Sequence, residues 1–169
     1  IDGDLADFDK AVSEHGIVNR NNYIHRPKDT WDEEEKELDR QVTKVMGLPN
    51  FWSSIPMMPD GTKLWEYCKP YNPFILTAYP KNPDWSKRVA EEKWNWVQTN
   101  LGLVDRERFI CCLRSEKTNF INSAPHEHQI LIDDMEINCE EWTKAGGEAI
   151  LHISASLSIE QLKYNNGPY

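Results

Sequence analysis

The chain has 169 residues, with 28 acidic against 19 basic side chains and a formal charge of −9 at neutral pH. This length predicts one domain with a core of its own. The charge argues against a partner that is a nucleic-acid polymer, because such binding needs a positively charged surface. No stretch approaches the ~18 consecutive apolar residues of a membrane span and no signal segment opens the chain, so we expect no membrane partner and a cytoplasmic location.

The first 70 residues carry helical patterns without a convincing strand. The clearest predicted helix begins at Thr30, with Glu33 completing a T-x-x-E capping box, and ends at Gly47. One face of this helix carries Leu38, Val42, Val45 and Met46. The acidic run DEEEKE indicates a solvated helix face rather than a metal site, because carboxylates in a first turn suit the helix dipole. Residues 9–69 are therefore predicted to form a mainly helical cap.

Beyond residue 70, short apolar runs alternate with amphipathic helical segments. Strands are predicted at Phe74–Leu76, Phe109–Leu113, Ile130–Ile132 and Ala149–Ile153, and helices at Asp84–Leu101 and near Glu136–Lys144. Short apolar strands separated by helices are typical of a parallel sheet that is covered on both faces. The predicted class is therefore α/β, with residues 1–8 and 70–169 forming the core. The first of these helices carries four side chains that we assign to packing: Trp85, Val89, Trp96 and Val97.

The four cysteines form no C-x-x-C pair and have no histidine at the spacing of a zinc site. Cys111 and Cys112 are adjacent within an apolar run, so on a strand they point to opposite faces. We expect all four to be reduced thiols, which fits a cytosolic compartment.

Four short polar elements coincide with the predicted strands or their ends. They are IDGDLADFD at residues 1–9, ILTAYP at 75–80, RSEKT at 114–118 and ILIDDME at 130–136. Ligands of open α/β sheets bind at the carboxyl ends of the strands, so we expect these elements to meet at one edge. Each element alone is a weak signal, and their order and places relative to the strands strengthen it.

The residue types in these elements suit phosphoryl transfer. Asp133 and Asp134 are predicted to bind Mg²⁺, because adjacent unpaired carboxylates repel each other and magnesium prefers carboxylate oxygens; the alternative for Asp134 is a helix N-cap. Lys117 would supply positive charge to the phosphate, and Thr77 a hydroxyl and a backbone amide. Asp2 is the predicted general acid and a further metal-site residue. A carboxylate nucleophile is still needed.

The ordered set IDG-LADFD, ILTAYP, RSEKT and LIDD resembles motifs one to four of the haloacid dehalogenase superfamily. Within it, LADF, FWSSIPMMPDG, the K-x-x-W-V-x-x-x-x-G helix end and LIDD are most similar to the 5'(3')-deoxyribonucleotidases. The resemblance implies a Rossmann-like parallel sheet with a small helical cap inserted after the first motif. It also implies magnesium and the hydrolysis of nucleoside monophosphates through an aspartyl-phosphate.

Carried over by position, the resemblance assigns roles to individual residues. Thr77 is the motif-two hydroxyl, with Ala78 beside it at the substrate, and Lys117 is the motif-three lysine. The motif-four acids are Asp133 and Asp134.

Aromatic side chains in or beside the cap are candidates for stacking on a nucleobase. Phe8 matches an aromatic that family members place against the nucleoside, and Trp31 and Trp52 are the next candidates. A stacked base is worth ~1–3 kcal/mol, enough to help hold a small nucleotide. His126 and His128 precede the fourth element, and we assign them to a solvent-facing loop.

The first motif allows two alignments with the family pattern D-x-D-G. With Gly3 and LADF in register, the nucleophilic aspartate falls one residue before Ile1, which predicts an incomplete N-terminus. A shifted register makes Asp2 the nucleophile and Asp4 the acid, but it loses the match at Gly3 and LADF. Met135 stands where such nucleotidases often have Arg, so no base or sugar preference is implied.

Three functions remain open at this point. The first is a nucleotidase acting on a small nucleotide, and the second is a phosphatase of the same superfamily acting on another small phosphoester. The third is a nucleotide-binding relative that lacks the nucleophile and is inactive. A homodimer is compatible with the sequence.

Overall fold

The computed structural model describes residues 1–121 and 129–165, so His126 and His128 lie outside the described residues. The helices are α1 Phe8–Ser13, α2 Glu33–Met46, α3 Gly61–Cys68, α4 Ser86–Leu101, α5 Glu136–Lys144 and α6 Ala155–Asn165. The strands are β1 Ile75–Ala78, β2 Phe109–Cys112, β3 Ile130–Asp133 and β4 Glu148–Leu151. Within the described ranges, no helix has the length and apolar character needed to cross a bilayer.

The strands pair in parallel, which confirms a mixed α/β structure with parallel strand pairs. β1 pairs with β2, with Ile75 opposite Phe109, and β3 pairs with β4, with Ile130 opposite Glu148. We predicted a single sheet, but the strands of the described residues form two separate two-stranded sheets. β1 and β3 therefore each have one edge that pairs with no other strand among those described.

An apolar groove lies against both sheets. Its volume is about 910 Å³, and its walls include Leu76 of β1, Leu131 of β3 and Ile1 at the start of the chain. Phe74 and Phe120 also line the groove and are 52% and 41% exposed. Exposed apolar side chains beside unpaired strand edges are unusual on a protein surface, because they invite pairing with a further strand.

The residue that caps helix α2 is Asp32, two residues later than the predicted Thr30, and the helix itself begins at Glu33. Asp32 Oδ1 accepts a hydrogen bond from the Glu35 amide at 2.8 Å, and Glu35 Oε2 accepts one from the Asp32 amide at 2.9 Å. This is the reciprocal pattern of a capping box. The predicted pair of Thr30 and Glu33 was therefore wrong, since the Thr30 hydroxyl donates to the Pro27 carbonyl instead.

Three of the four predicted packing residues of helix α4, Val89, Trp96 and Val97, are fully buried. Trp85 directly precedes the helix and packs against the core while partly buried. The three buried side chains belong to one hydrophobic cluster that also contains Trp52 of the predicted cap and Ile75 of β1. The same helix buries two charged residues, Glu92 and Lys93, at the side where the cap segment meets the end of β1.

Candidate functional site

The structure brings most of the predicted site residues together at the carboxyl ends of β1 and β3. Thr77 and Ala78 end β1, Asp133 ends β3 with Asp134 directly after it, and Lys117 lies in a 3₁₀ turn, Arg114–Phe120, that follows β2. Asp2 and Gly3 reach this edge from the start of the chain. The residues that converge are Asp2, Thr77, Ala78, Lys117, Asp133 and Asp134.

Lys93 connects the first motif with the end of β1. Its ammonium donates to Asp2 Oδ2 at 2.5 Å, to Thr77 Oγ1 at 3.2 Å and to the Ala78 carbonyl at 2.6 Å. It also lies 4.3 Å from the centroid of the Trp52 ring. The side chain is 2% exposed, and a buried ammonium is tolerated only with such partners.

Our site predictions did not include Lys93, although the sequence holds a signal for it. Lys93 follows Val89 by four residues and precedes Val97 by four, so it falls on the buried face of α4. Lysine is rarely buried without a partner, so its place in an apolar stripe points to a buried charge. The partners themselves are distant in sequence, with Asp2 91 residues away.

Asp133 is fully engaged by protein donors. Its Oδ2 accepts from Lys117 Nζ at 2.6 Å, and its Oδ1 accepts from the Met135 amide at 2.9 Å and from Asn138 Nδ2 at 2.8 Å. Burial alone would raise the pKa of Asp133, but the Lys117 ammonium and its hydrogen bond hold that pKa below the usual range. In this arrangement Asp133 fixes the position of Lys117. Of the two adjacent acids, Asp134 is the one whose carboxylate is available to a ligand.

Asp134 is half-buried, and its carboxylate makes no hydrogen bond or ion pair within the described part of the chain. Burial, together with the neighbouring carboxylates of Asp4 and Asp133, raises the pKa of Asp134 to about 7. Gly3 lies directly against this carboxylate, with a φ of +86°. A Cβ at Gly3 would overlap the Asp134 carboxylate, so a side chain at this position would displace Asp134 and would also strain the backbone.

Asp4 lies behind this cluster and is 5% exposed. Its Oδ2 is 3.2 Å from the Ile1 nitrogen, while its Oδ1 is buried and has no hydrogen-bond partner among the described residues. Burial raises the pKa of Asp4, and the nearby carboxylate of Asp133 raises it further. Asp4 and Asp134 thus bring two acidic groups to the cluster, and no described basic side chain forms an ion pair with either of them.

The donor set fits a hydrated magnesium ion better than a closed protein cage. No group of three or more His, Cys, Asp or Glu side chains is arranged to hold a metal within residues 1–121 and 129–165. Magnesium is commonly bound through one or two carboxylates and completes its shell with water and substrate phosphate. Asp134, with its open carboxylate and raised pKa, fits that role, and the unpaired Oδ1 of Asp4 adds to the charge that a cation would offset.

Two of the predicted stacking residues are packed together in the core. The rings of Phe8 and Trp52 stack with centroids 5.5 Å apart, and Phe51 meets the Phe8 ring edge-on. Phe8 is 8% exposed and Trp52 is 4% exposed. In this conformation neither ring offers a free face to a nucleobase.

Trp31 is not brought to the cluster. Its ring packs against Tyr23 at a centroid distance of 4.9 Å, and its Nε1 donates to the Arg26 carbonyl at 3.2 Å. Lys28 lies over the same ring. These contacts place Trp31 in a separate aromatic pair of the predicted cap.

No family model matches this chain, and a comparison with curated proteins finds no match either. The likeness to haloacid dehalogenases rests on the four motifs of the sequence. The geometry adds that these motifs meet at one edge of the strands.

Proposed function

We propose that this protein is a magnesium-dependent phosphomonoester hydrolase of the haloacid dehalogenase type, and that its substrates are nucleoside monophosphates. The observation that carries the proposal is the convergence of Lys93, Lys117 and the Thr77 hydroxyl with the carboxylates of Asp2 and Asp134. A phosphate monoester is doubly negative, so a site for it needs fixed cations and hydroxyl donors. A magnesium-dependent site for a phosphate monoester also needs an acidic side chain that binds the metal.

The chemistry proceeds in two displacements. The nucleophile is an aspartate that we place directly before Ile1. Its oxygen attacks phosphorus, the bond from phosphorus to the ester oxygen breaks, and Asp2 gives its proton to the departing oxygen. Water then attacks the aspartyl-phosphate, Asp2 takes the proton of that water, and the bond from phosphorus to the aspartate oxygen breaks to release phosphate. Lys117, held by Asp133, and Thr77 bind the phosphoryl oxygens in both steps. Magnesium, when bound at Asp134, would offset the charge of the phosphate.

The burial of Asp4 favours the alignment in which Asp2 is the acid and the nucleophile directly precedes Ile1. The shifted alignment needs Asp4 to protonate the leaving group of a substrate that enters the site from solvent. Asp4 is almost completely buried behind the cluster, whereas the side chain of Asp2 is 30% exposed. Gly3 also fits the glycine of the first alignment, because its positive φ and its close contact with Asp134 both favour a residue without a side chain.

We further propose that the apolar groove takes a fifth parallel strand, which joins the two sheets into one Rossmann-like sheet. The first motif lies at the carboxyl end of β1, since Lys93 links Asp2 to the Ala78 carbonyl. Ile1 lines the groove. Polypeptide joined to the Ile1 nitrogen would therefore run through the groove in the direction of β1 and β3. An aspartate at the end of such a strand would lie beside Asp2 and Asp134, where the nucleophile is needed.

A phosphatase acting on a smaller phosphoester is the second candidate. The burial of Phe8, Trp52 and Trp31 favours it, because none of these rings presents a face on which a base stacks. The phosphate-binding part of the proposal is the same for both candidates. They differ only in the leaving group.

The test is phosphate release by the chain extended before Ile1 with a β-branched run that ends in aspartate. The panel contains deoxyribonucleoside monophosphates and sugar phosphates, each assayed with Mg²⁺ and with a chelator. We expect release that requires both Mg²⁺ and the added aspartate, and none from the matched extension that ends in asparagine. Faster release from sugar phosphates would select the second candidate. Tight nucleotide binding without any release by the aspartate form would select an inactive relative and refute the hydrolase.

A further inference from the structure

Helix α4 fastens the segment around residues 46–55 to the site through a buried carboxylate. Glu92 is 7% exposed, and its two oxygens accept hydrogen bonds from two backbone amides, Asn50 N at 2.9 Å and Trp52 N at 3.1 Å. A carboxylate that accepts two amides fixes the direction of both peptide groups. Glu92 thus determines where the backbone of Trp52 lies.

The segment that Glu92 holds has a conformation that requires support. Asn50 has a φ of +63°, in the left-handed region, and the 3₁₀ turn Trp52–Ser54 follows at once. Without the carboxylate, the buried amide of Trp52 would lack a partner. The Trp52 indole is fixed at its other end, where its Nε1 donates to the Met46 carbonyl at 3.0 Å.

The position of Trp52 in turn defines the surroundings of the Lys93 ammonium. The three polar contacts of Lys93 go to Asp2, Thr77 and Ala78, and the face of the Trp52 ring covers the ammonium at 4.3 Å from the centroid. An aromatic face attracts a cation without taking one of its protons. The ring therefore holds the ammonium close to Asp2 while leaving its donors to oxygen ligands.

We infer that Glu92 is a positioning residue of the proposed phosphate site, which acts by holding Trp52 against the Lys93 ammonium. The functional part of this inference rests on the proposed function, because it assumes that Lys93 takes part in binding phosphate. The geometric part, in which Glu92 sets the contact between Trp52 and Lys93, is independent of any substrate.

The test compares Glu92→Gln with the matched control Glu91→Gln. Glu91 is the neighbouring residue on α4, but its side chain is 60% exposed and lies 3.7 Å from Arg106. Glu92→Gln keeps the shape of the side chain and turns one acceptor into a donor that faces a backbone amide. Both variants are examined at a temperature where circular dichroism shows them folded.

The first readout is the proton resonances of the Lys93 side chain. The Trp52 ring current shifts them upfield in the wild type, and we expect Glu92→Gln to move them towards ordinary lysine values while Glu91→Gln leaves them in place. A residue that only stabilised the fold would not change this shift in the folded protein. Unchanged Lys93 resonances in Glu92→Gln would overturn the inference.

The second readout is the affinity for inorganic phosphate in the presence of Mg²⁺, measured by calorimetry. We expect Glu92→Gln to weaken binding at least about fivefold, and Trp52→Leu to weaken it by a similar factor. The double variant should bind no more weakly than Trp52→Leu alone, because Glu92 acts through Trp52. A further, independent loss in the double variant would contradict the inference. A wild type that binds no phosphate while its Lys93 resonances still respond to Glu92→Gln would refute the proposed function and leave the positioning role standing.

Discussion

Replacing Asp134 by asparagine should stabilise the protein at neutral pH when no divalent cation is present. Burial and the nearby carboxylates of Asp4 and Asp133 raise the pKa of Asp134 from 3.8 to about 7. Each pKa unit corresponds to ~1.4 kcal/mol, so ionising Asp134 in the folded protein costs up to ~4 kcal/mol. This is an upper limit, because water screens the partly exposed carboxylate.

The sign of the pH dependence follows from where the proton is held. Below pH 3.8 Asp134 is protonated in the folded and the unfolded chain. The folded chain then avoids the full cost of ionising this buried side chain. Between pH 3.8 and about 7 only the folded chain keeps the proton, so this contribution to stability falls as pH rises and is lost above pH 7. The neutral side chain of Asp134→Asn has no such dependence.

The assay is urea unfolding from pH 4 to pH 8 in the presence of a chelator, with the exposed Asp29→Asn as control. The free energy of unfolding of Asp134→Asn should exceed that of the wild type by an amount that grows with pH up to about 7. Added Mg²⁺ should then stabilise the wild type, by ~2.7 kcal/mol at 100 times its Kd, and the variant by less. If the difference in unfolding free energy between wild type and Asp134→Asn does not change with pH, then burial and the neighbouring carboxylates do not raise the pKa of Asp134.

Three further predictions concern the same cluster and its surroundings. Gly3→Ala should lower the free energy of unfolding in urea by at least ~2 kcal/mol more than Gly16→Ala, because both glycines have positive φ but only Gly3 contacts a side chain; equal losses would argue against the overlap. Lys117→Met should cost ~3–5 kcal/mol in the same assay, since it leaves Asp133 buried without its cation, and Asp133→Asn in that background should recover part of it. Cys111, whose pKa burial raises to about 11, should react with iodoacetamide at pH 7.5 on the order of 100-fold more slowly than a free thiol; a rate equal to that of glutathione would contradict this.

Local patterns in the sequence predict the four strands and several helices of the fold. The apolar run before Thr77 predicts β1 to within two residues, and the glycine at position 47 ends α2 as expected. Val42 and Val45 of that helix are buried on the predicted face. These features depend on residues close together in the chain, which is why the sequence indicates them.

Features that depend on distant residues could not be predicted in this way. Helix α6 was not predicted, and the amide of its first residue, Ala155, donates to Asp60 Oδ2 at 2.6 Å across 95 residues. The division of the strands into two sheets likewise depends on pairing between segments that are far apart in the chain, such as Ile75 with Phe109.

In the candidate site, too, some features depend on nearby residues and others on distant ones. The strand ends place Thr77 and Asp133, and hence the edge at which the motifs meet. The different roles of Asp133 and Asp134 depend on Lys117 and Asn138, which bind only the first of the two acids. Two adjacent aspartates in a sequence carry no indication of which one the protein engages.

The burial of Phe8, Trp31 and Trp52 is a related case. Aromatic residues beside a motif satisfy both a stacking and a packing interpretation, and burial decides between them. In the structure all three rings are packed against other side chains. Burial therefore favours the packing interpretation for all three rings.

The most direct test of the proposed site is a crystal structure of the protein with Mn²⁺ in place of Mg²⁺ and with inorganic phosphate. Anomalous scattering locates the manganese without reference to the protein. We expect an anomalous peak within bonding distance of the Asp134 carboxylate, and a phosphate that contacts Lys117 and the Thr77 hydroxyl. A structure with no metal at Asp134, or with phosphate bound away from both residues, would contradict the proposed metal-dependent phosphatase site.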